Sequence, residues 1–266
     1  MSRWLISSVC VLGCLGLLGG STGLQPARPA SDTPRVPVLV ELFTSQGCSS
    51  CPPADELLIR LDEQQPVAGA LVIPLSEHVE YWNRLGWRDP FSAPTFTQRQ
   101  REYGDALATR ALYTPQMVVD GRMEFVGSQR EIAQQTIARA AAAPKAEIAL
   151  IRTDSGGNPV TVEVTISGVS RLGALGDTDL WLAVTEEGLA TDVRRGENAH
   201  RRLRHAAVVR RLEQIETLPT PIPDRLTAAA QVALEPEWQV RSLRLVAFLQ
   251  ERKSRRVLGA NQLRLE

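Results

Sequence analysis

Two cysteines separated by two residues follow an apolar run and precede a segment with the pattern of a helix start. The run, residues 36–43, is short, apolar and rich in valine, which is typical of a buried parallel strand. Pro52 and Pro53 come directly after Cys51, and proline is favoured in the first turn of a helix. Cys48 should therefore lie where free backbone N–H groups and the helix dipole favour a thiolate, the nucleophile of disulfide exchange. Cys51, one helical turn further on, would attack the resulting mixed disulfide, and we expect it to be the less exposed of the two.

A structural disulfide and a metal site are the alternatives to a redox pair. A disulfide across two residues closes a very short loop, so it removes little entropy from the unfolded chain and stabilises weakly. A zinc site would need two further soft ligands, and the remaining cysteines, Cys10 and Cys14, lie near the N-terminus. We therefore predict a redox pair, with no metal ion and no cofactor.

The N-terminus has the pattern of an export signal. Arg3 precedes an uncharged apolar stretch that ends near residue 20, and small residues follow it. We predict a signal peptide over residues 1–23 and a proline-containing linker over residues 24–35, which gives a periplasmic or secreted protein. Cys14 weakly resembles a lipoprotein cleavage box, so lipidation or an uncleaved N-terminal anchor is the alternative. Export would place the cysteine pair in an oxidising compartment, and no later segment is apolar enough to span a membrane.

Charge and composition narrow the expected partners. The chain carries 30 Lys and Arg against 30 Asp and Glu, so its formal net charge is zero and it has no electrostatic reason to bind nucleic acid. We expect protein or peptide thiols and disulfides as partners. The sequence does not identify the electron donor.

A second apolar run, residues 67–76, predicts a strand parallel to the first. Parallel strands end at the same edge of a sheet, so His78 should emerge close to Cys48, where it would tune the thiolate or bind a metal with the pair. A structural histidine is the alternative.

An aromatic stretch, residues 78–91, leads into a helix over residues 95–110, which we interpret as an insertion. Asp120-Gly121 predicts a hairpin turn between strands 117–119 and 123–126, and a helix over residues 132–142 closes the domain near residue 144.

From residue 145 onward the pattern changes to the alternation of half-buried strands. Six segments predict an antiparallel β-sandwich-like domain over residues 145–266: 146–153, 160–167, 179–186, 228–234, 243–250 and 256–265. Between them, the basic segment 194–211 reads as a charged connection. It would bind an acidic ligand, an anionic surface or the partner domain, or it would simply be solvated or held by its own hydrogen bonds.

Several motifs resemble a bacterial family of secreted thioredoxin-like proteins of unknown function. The motifs are ELFTSQGCSSCPPAD at 41–55, HVEYW at 78–82, GWRDPF at 86–91, YTPQ at 113–116 and RGEN at 195–198. The resemblance covers nearly the whole mature chain. It implies an α/β thioredoxin-like domain with a helical insertion over residues 36–144, ahead of the predicted β-sandwich-like domain.

The wider thioredoxin resemblance implies roles for individual residues. Cys48 matches the attacking cysteine and Cys51 the resolving one. Pro115 matches a proline whose peptide bond is cis, with Thr114 offering backbone groups to an extended substrate. Glu41 is similar to a buried acid that tunes the cysteines, but it lies seven residues before Cys48 rather than six. A hydrogen-bonded strand glutamate is therefore the alternative.

The predicted function is that of an exported thiol–disulfide oxidoreductase acting on protein or peptide disulfides. The alternative is a non-catalytic binding or assembly protein that keeps the same fold. Such a protein would use its cysteines as a structural disulfide or a metal site.

Overall fold

The first half of the chain begins with two parallel strands joined by a helix. The computed structural model describes residues 34–109 and 111–265. The predicted signal peptide and the linker up to residue 33 lie outside the described residues. The first apolar run forms β1 (Val36–Thr44), followed by α1 (Pro52–Gln64) and β2 (Ala70–His78). The strands pair in parallel with Thr44 opposite His78, so the predicted parallel crossover is confirmed.

The next elements also follow the predicted order. They are α2 (Pro94–Ala106), β3 (Gln116–Val119), β4 (Met123–Val126) and α3 (Arg130–Ala141). The hairpin turn places Asp120 at φ 48° and Gly121 at φ 63°, which explains the Asp-Gly pair. A Cβ on Gly121 would lie 1.9 Å from the carbonyl oxygen of Arg255, so glycine is also required by the close approach of that backbone.

The second half of the described chain consists mainly of strands. They are β5 (Glu147–Arg152), β6 (Val160–Ser167), β7 (Thr178–Glu186), β8 (Leu189–Asp192), β9 (Arg202–His205), β10 (Val208–Thr217), β11 (Arg225–Val232), β12 (Leu243–Glu251) and β13 (Val257–Arg264). All six predicted segments therefore contain a strand. The fold is mixed α/β, with one large mixed sheet and smaller antiparallel sheets.

Strands from both halves share the large sheet. Its order is β13-β12-β7-β10-β2-β1-β3-β4, and the smaller sheets are β11-β6-β5 and β8-β9. β10 joins the halves, because it pairs in parallel with β2 at Val208 and Ser76 and antiparallel with β7. The domain boundary predicted near residue 144 lies between α3 and β5. Residues on both sides of it belong to one compact unit, Pro34–Glu266. The three-stranded sheet packs on β7, β12 and β13 through a large apolar core, which resembles the predicted sandwich.

The basic segment 194–211 is not a single connection, as predicted from the sequence, but contains strand residues. Residues 202–205 form β9, and β10 begins at Val208. Val208 and Val209 are buried between β2 and β7. Pairing with these distant strands therefore determines the local structure, although the neighbouring residues are rich in arginine.

Alternate residues of β1 serve opposite faces of the large sheet. Val38, Val40 and Leu42 pack with residues of α1 and α3. On the other face, Leu39 packs with Phe96 of α2. This alternation decides which polar side chains of β1 and β2 can approach the cysteines, because Cys51 directly precedes α1.

No helix among the described residues is long and apolar enough to cross a membrane.

Candidate functional site

Cys48 and Cys51 form a disulfide at the start of α1. Their Cα atoms are 5.5 Å apart, and Cys51 is the N-cap of the helix, followed by Pro52 and Pro53 as predicted. Both cysteine side chains are completely buried, so the expected difference in exposure between them is absent. The intervening residues, Ser49 and Ser50, are exposed. The disulfide thus lies directly beneath an exposed turn.

Thr114 and Pro115 lie against this disulfide. The peptide bond between them is cis, which confirms the prediction for this bond. The carbonyl oxygen of Thr114 is 3.9 Å from Sγ of Cys48 and accepts a hydrogen bond from Ser50 Oγ at 3.4 Å. Trp82 Nε1 donates to Thr114 Oγ1 at 2.8 Å. An aromatic residue of the insertion therefore fixes the segment that faces the cysteines.

A loop from the second half covers the cysteine turn. This covering loop, residues 193–201, connects β8 to β9. Asn198 is fully buried, and its Nδ2 donates to the carbonyl oxygens of Gln46 at 3.0 Å and Cys48 at 2.9 Å. Glu197 Oε2 accepts a hydrogen bond from the backbone N–H of Ser49 at 3.0 Å. Two residues of the covering loop therefore bind the backbone of the cysteine turn directly.

Gly196 lets the covering loop approach this closely. Its φ is +78°, and a Cβ at this position would lie 3.1 Å from Cβ of Trp87. The RGEN motif marked this loop in the sequence, but nothing in the sequence indicated that Asn198 and Glu197 contact the cysteine turn.

A buried histidine–aspartate pair lies at the end of β2. His78 Nδ1 is 2.7 Å from Asp89 Oδ2, and the same oxygen accepts a hydrogen bond from the Gln46 N–H at 2.8 Å. Burial opposes the charged form of His78, but the Asp89 carboxylate outweighs it and raises the histidine pKa. Burial likewise opposes ionisation of Asp89, but His78 lowers the pKa of this carboxyl below its usual value. The pair is therefore held in its charged form.

A second pair joins His78 to α1. The rings of His78 and His205 are in edge contact, with centroids 4.7 Å apart. His205 Nδ1 is 3.8 Å from Asp55 Oδ1, and Asp55 Oδ1 accepts a hydrogen bond from Thr44 Oγ1 at 2.9 Å. Asp55 lies one helical turn after Cys51, on the same side of α1. These residues connect the end of β2 to the helix that carries the cysteines.

The buried cluster contains polar atoms without partners. Asp55 Oδ2, His78 Nε2 and His205 Nδ1 are buried and have no hydrogen-bond partner in the described part of the chain. Sequence analysis identified His78 alone, although Asp55 and Asp89 both lie in quoted motifs and His205 in the basic segment. The same residues do not form a metal site, since no group of three or more His, Cys, Asp or Glu side chains within residues 34–109 and 111–265 is arranged to hold an ion.

Glu41 lies on the other face of the sheet. Its carboxylate accepts hydrogen bonds from Arg99 Nε at 2.6 Å and from the hydroxyl of Tyr103, both in α2. Burial and the charge of Glu41 raise the pKa of the neighbouring Glu77 well above its ordinary value. The structure therefore brings Cys48, Cys51, Thr114, Pro115 and His78 to one region and Glu41 to another.

The sequence matches a family described as "Protein of unknown function (DUF1223)" over residues 39–250. The chain belongs to this family. The DUF1223 chain is similar to a protein of Agrobacterium tumefaciens of known crystal structure, with 25% identity and a TM-score of 0.67, over 88% of this chain and 96% of that one. It is also similar to HBP35 of Porphyromonas gingivalis, with 14% identity and a TM-score of 0.62, over 87% of this chain and 76% of that one. The second likeness concerns the fold alone. A comparison with curated proteins gives no match.

Proposed function

We propose that this DUF1223 protein is an exported thiol–disulfide oxidoreductase that acts through Cys48 and Cys51 on protein or peptide disulfides. One observation carries the proposal. The Cys48–Cys51 disulfide lies at the N-terminus of α1 with the carbonyl oxygen of Thr114 3.9 Å from the Cys48 sulfur. A redox pair needs a thiolate-stabilising helix start and an adjacent backbone segment that holds an extended substrate, and this arrangement offers both.

The exchange runs in two steps. In the reducing direction, the Cys48 thiolate attacks one sulfur of the substrate disulfide, an S–S bond forms between them, and the other substrate sulfur leaves and takes a proton. Cys51 then loses its proton and attacks Cys48, which releases the second substrate thiol. Two electrons and two protons pass from the cysteines to the substrate, and oxidation of a substrate dithiol is the reverse sequence.

The surroundings of the pair support a thioredoxin-like arrangement. The pair follows the first of two parallel strands, and the Thr114–Pro115 segment leads into the hairpin strand β3, which pairs with β1. In this proposal Thr114 and Pro115 bind the substrate backbone. Thr114 is held in place by its hydrogen bond from Trp82.

Asp55 is the residue that we propose as the acceptor of the Cys51 proton. It lies one turn after Cys51 on α1, it is buried, and its Oδ2 has no hydrogen-bond partner in the described chain. His205 lies 3.8 Å from the other oxygen of Asp55 and links it to the His78–Asp89 pair. His78 thus tunes the site through His205 and Asp55.

A specific observation favours the second candidate, a non-catalytic protein with a structural disulfide. Both sulfurs are fully buried, and Asn198 and Glu197 bind the cysteine turn. For exchange to occur, the covering loop has to release this turn. In the structural alternative it stays closed and the disulfide only joins the turn to the helix.

Site-directed variants of the mature protein distinguish the two candidates. With dithiothreitol as the electron donor, an oxidoreductase should catalyse reduction of a fluorescent peptide disulfide, Cys48→Ser should abolish this catalysis, and Cys51→Ser should accumulate a mixed disulfide through Cys48. Asn198→Ala should speed reduction of the pair. A wild-type rate no faster than that of free cysteine, together with a large loss of thermal stability in the double Cys48→Ser/Cys51→Ser variant, would favour the structural disulfide.

A further inference from the structure

A cavity of about 520 Å³ opens beside the β3–β4 hairpin. Its wall is formed by the hairpin turn, the last turns of α3, the connection to β5, the single helical turn Val169–Leu172 and the start of β13. None of the residues of the disulfide site lines it. Pockets for small molecules usually measure about 300–1,000 Å³, so this cavity has the size of a ligand site.

The lining of the cavity is strongly basic. Five cationic residues face one carboxylate, so the lining carries a formal charge of 5 − 1 = +4: the cations are Arg122, Arg139, Lys145, Arg171 and Arg256, and the acid is Asp120. This excess contrasts with the zero net charge of the chain. It therefore reflects a local concentration of positive charge rather than the overall composition.

Both oxygens of the one acidic residue in the lining already accept hydrogen bonds. Asp120 Oδ1 accepts a hydrogen bond from the Leu39 N–H at 3.0 Å, and its other oxygen accepts one from Lys145. Lys145 also donates to the carbonyl oxygen of Pro37 at 2.6 Å. This ion pair ties the hairpin turn to the strand β1, and it leaves the arginines without a carboxylate inside the cavity.

The arginines keep their capacity to bind an anion. Arg122 and Arg139 make no ion pair within the described residues, and Arg139 donates only to Thr136, at 3.4 Å. Nε of Arg256 is buried without a hydrogen-bond partner there, and its nearest carboxylate, that of Glu251, is 4.0 Å away. Arg171 pairs with Glu147, but both side chains are more than half exposed, so the pair is weak and exchangeable.

Apolar side chains complete the wall. Val119, Val257 and Leu258 are buried at its base, and Met123 is an exposed hydrophobic residue at the hairpin. A bare inorganic anion would leave this apolar surface in contact with water. A ligand with an apolar body would cover it.

We propose that this basic cavity binds a small organic anion, a carboxylate or phosphate ester with an apolar body. The guanidinium groups of Arg122, Arg139 and Arg256 hold the anionic head, since arginine forms bidentate hydrogen bonds with carboxylate and phosphate oxygens. The apolar body packs on Val119 and Leu258. The site is independent of the cysteine chemistry.

The test uses anilinonaphthalene sulfonate, an apolar anion whose fluorescence rises on binding, with the mature disulfide-intact protein. The double variant Arg122→Gln/Arg139→Gln should bind this dye about tenfold more weakly, because two charge-assisted contacts are lost. The affinity of the same variant for the uncharged analogue phenylnaphthylamine should fall less than about twofold, since this analogue binds through the apolar wall. The matched control Arg225→Gln/Arg241→Gln removes two exposed arginines elsewhere and should bind both dyes like the wild type.

Competition identifies the source of the anion. Dodecanoate should displace the dye at much lower concentration than inorganic phosphate, and this order would support an organic anion with an apolar body. Equal displacement by both would overturn that assignment. Wild-type protein that does not bind the dye, or equal losses in the double variant and the control, would overturn the site itself. Unchanged melting temperatures of the variants verify that they are folded.

Discussion

The two faces of the β1–β2 strand pair each carry a buried cluster of ionisable side chains, and the clusters differ in how they are neutralised. On the face that α2 covers, Arg99 lies between Glu41, at 2.6 Å, and Glu77, at 3.4 Å. On the face that α1 covers, two histidine–aspartate pairs meet through the edge contact of their rings. Only the second cluster adjoins the disulfide.

The α2-face cluster is centred on Arg99. Gln250 Oε1 accepts a hydrogen bond from Arg99 at 3.1 Å, and its Nε2 donates to the Tyr103 hydroxyl at 2.8 Å. Burial, and then the charge of Glu41, raises the pKa of Glu77 well above its ordinary value. Arg99 is thus the cation shared by Glu41 and Glu77, and neither carboxyl oxygen of Glu77 has a hydrogen-bond partner in the described chain. This cluster lies on the face of the sheet opposite the disulfide.

The α1-face cluster also contains unpartnered polar atoms, but these lie next to the disulfide. Asp55, His78 and His205 each have one buried polar atom without a partner in the described chain. Buried polar atoms are usually hydrogen-bonded, so under the proposed function we expect these exceptions next to the disulfide to accept or donate protons during thiol exchange. The two clusters therefore differ in their position, because only the α1-face cluster lies beside the cysteines on which the proposed function depends.

Arg99→Met should have the largest effect, because it leaves two carboxyl groups buried without their cation. Breaking a buried ion pair in this way costs about 3–5 kcal/mol of unfolding free energy. Urea unfolding of the disulfide-intact protein measures this loss. Exchange kinetics at the cysteines should change little, since Arg99 lies on the other face.

The matched control is Arg101→Met on the same helix, where the arginine is exposed. Its unfolding free energy should stay within about 0.5 kcal/mol of the wild type. If Arg99→Met behaves like this control, the α2-face cluster does not stabilise the fold and the contrast between the faces fails.

Asp55→Asn should have the opposite pattern. Asparagine keeps an oxygen for the Thr44 hydroxyl, so the loss of stability should be about 1 kcal/mol or less. It cannot take a proton from Cys51, so exchange near neutral pH should slow about tenfold. The deficit should shrink as the pH rises, because solvent hydroxide then deprotonates the thiol.

Glu56→Gln, on the adjacent residue of α1, removes a partly exposed carboxylate and serves as the control. Its rate against pH should follow the wild-type curve. A uniform slowing of Asp55→Asn at every pH would assign Asp55 to positioning the helix rather than to the proton.

Local signals made much of the α1 side predictable from the sequence. The apolar run, the two prolines after Cys51 and the Asp-Gly turn each determine an element within about ten residues, so β1, α1 and the hairpin are predicted correctly. The strand alternation of the second half has the same local origin. His78 is predicted near the cysteines because parallel strands end together.

The remaining features depend on pairing between distant parts of the chain. β10 forms because Val208 pairs with Ser76 of β2, and the covering loop is recognisable only when Asn198 meets Cys48, 150 residues earlier. His205 reaches Asp55 for the same reason. Because the sequence alone does not reveal these contacts, residues 194–211 are predicted only as a basic connection.

Stability should also depend on pH through one group on each face. The folded state keeps a proton on Glu77 that the unfolded carboxyl releases above its ordinary pKa of 4.5, so this face loses stability as the pH rises beyond about 4.5. On the other face, Asp89 overcomes the burial and the Arg210 charge that oppose it and raises the pKa of His78. That contribution is complete below about pH 6.5, the ordinary histidine value, and is lost as the pH rises through the folded value.

Glu77→Gln and His78→Gln distinguish these two contributions. Their expected effect is the smallest, because it is a change only in the slope of unfolding free energy against pH. Glutamine at position 77 mimics the protonated carboxyl, so the decline that begins near pH 4.5 should flatten while the decline that begins near pH 6.5 remains. His78→Gln should do the reverse, whatever its stability at a single pH. Urea unfolding at closely spaced pH values gives both slopes. If Glu77→Gln left the decline from pH 4.5 unchanged, the proton that titrates there would not belong to the α2 face, and the pH dependence assigned to the two clusters would be wrong.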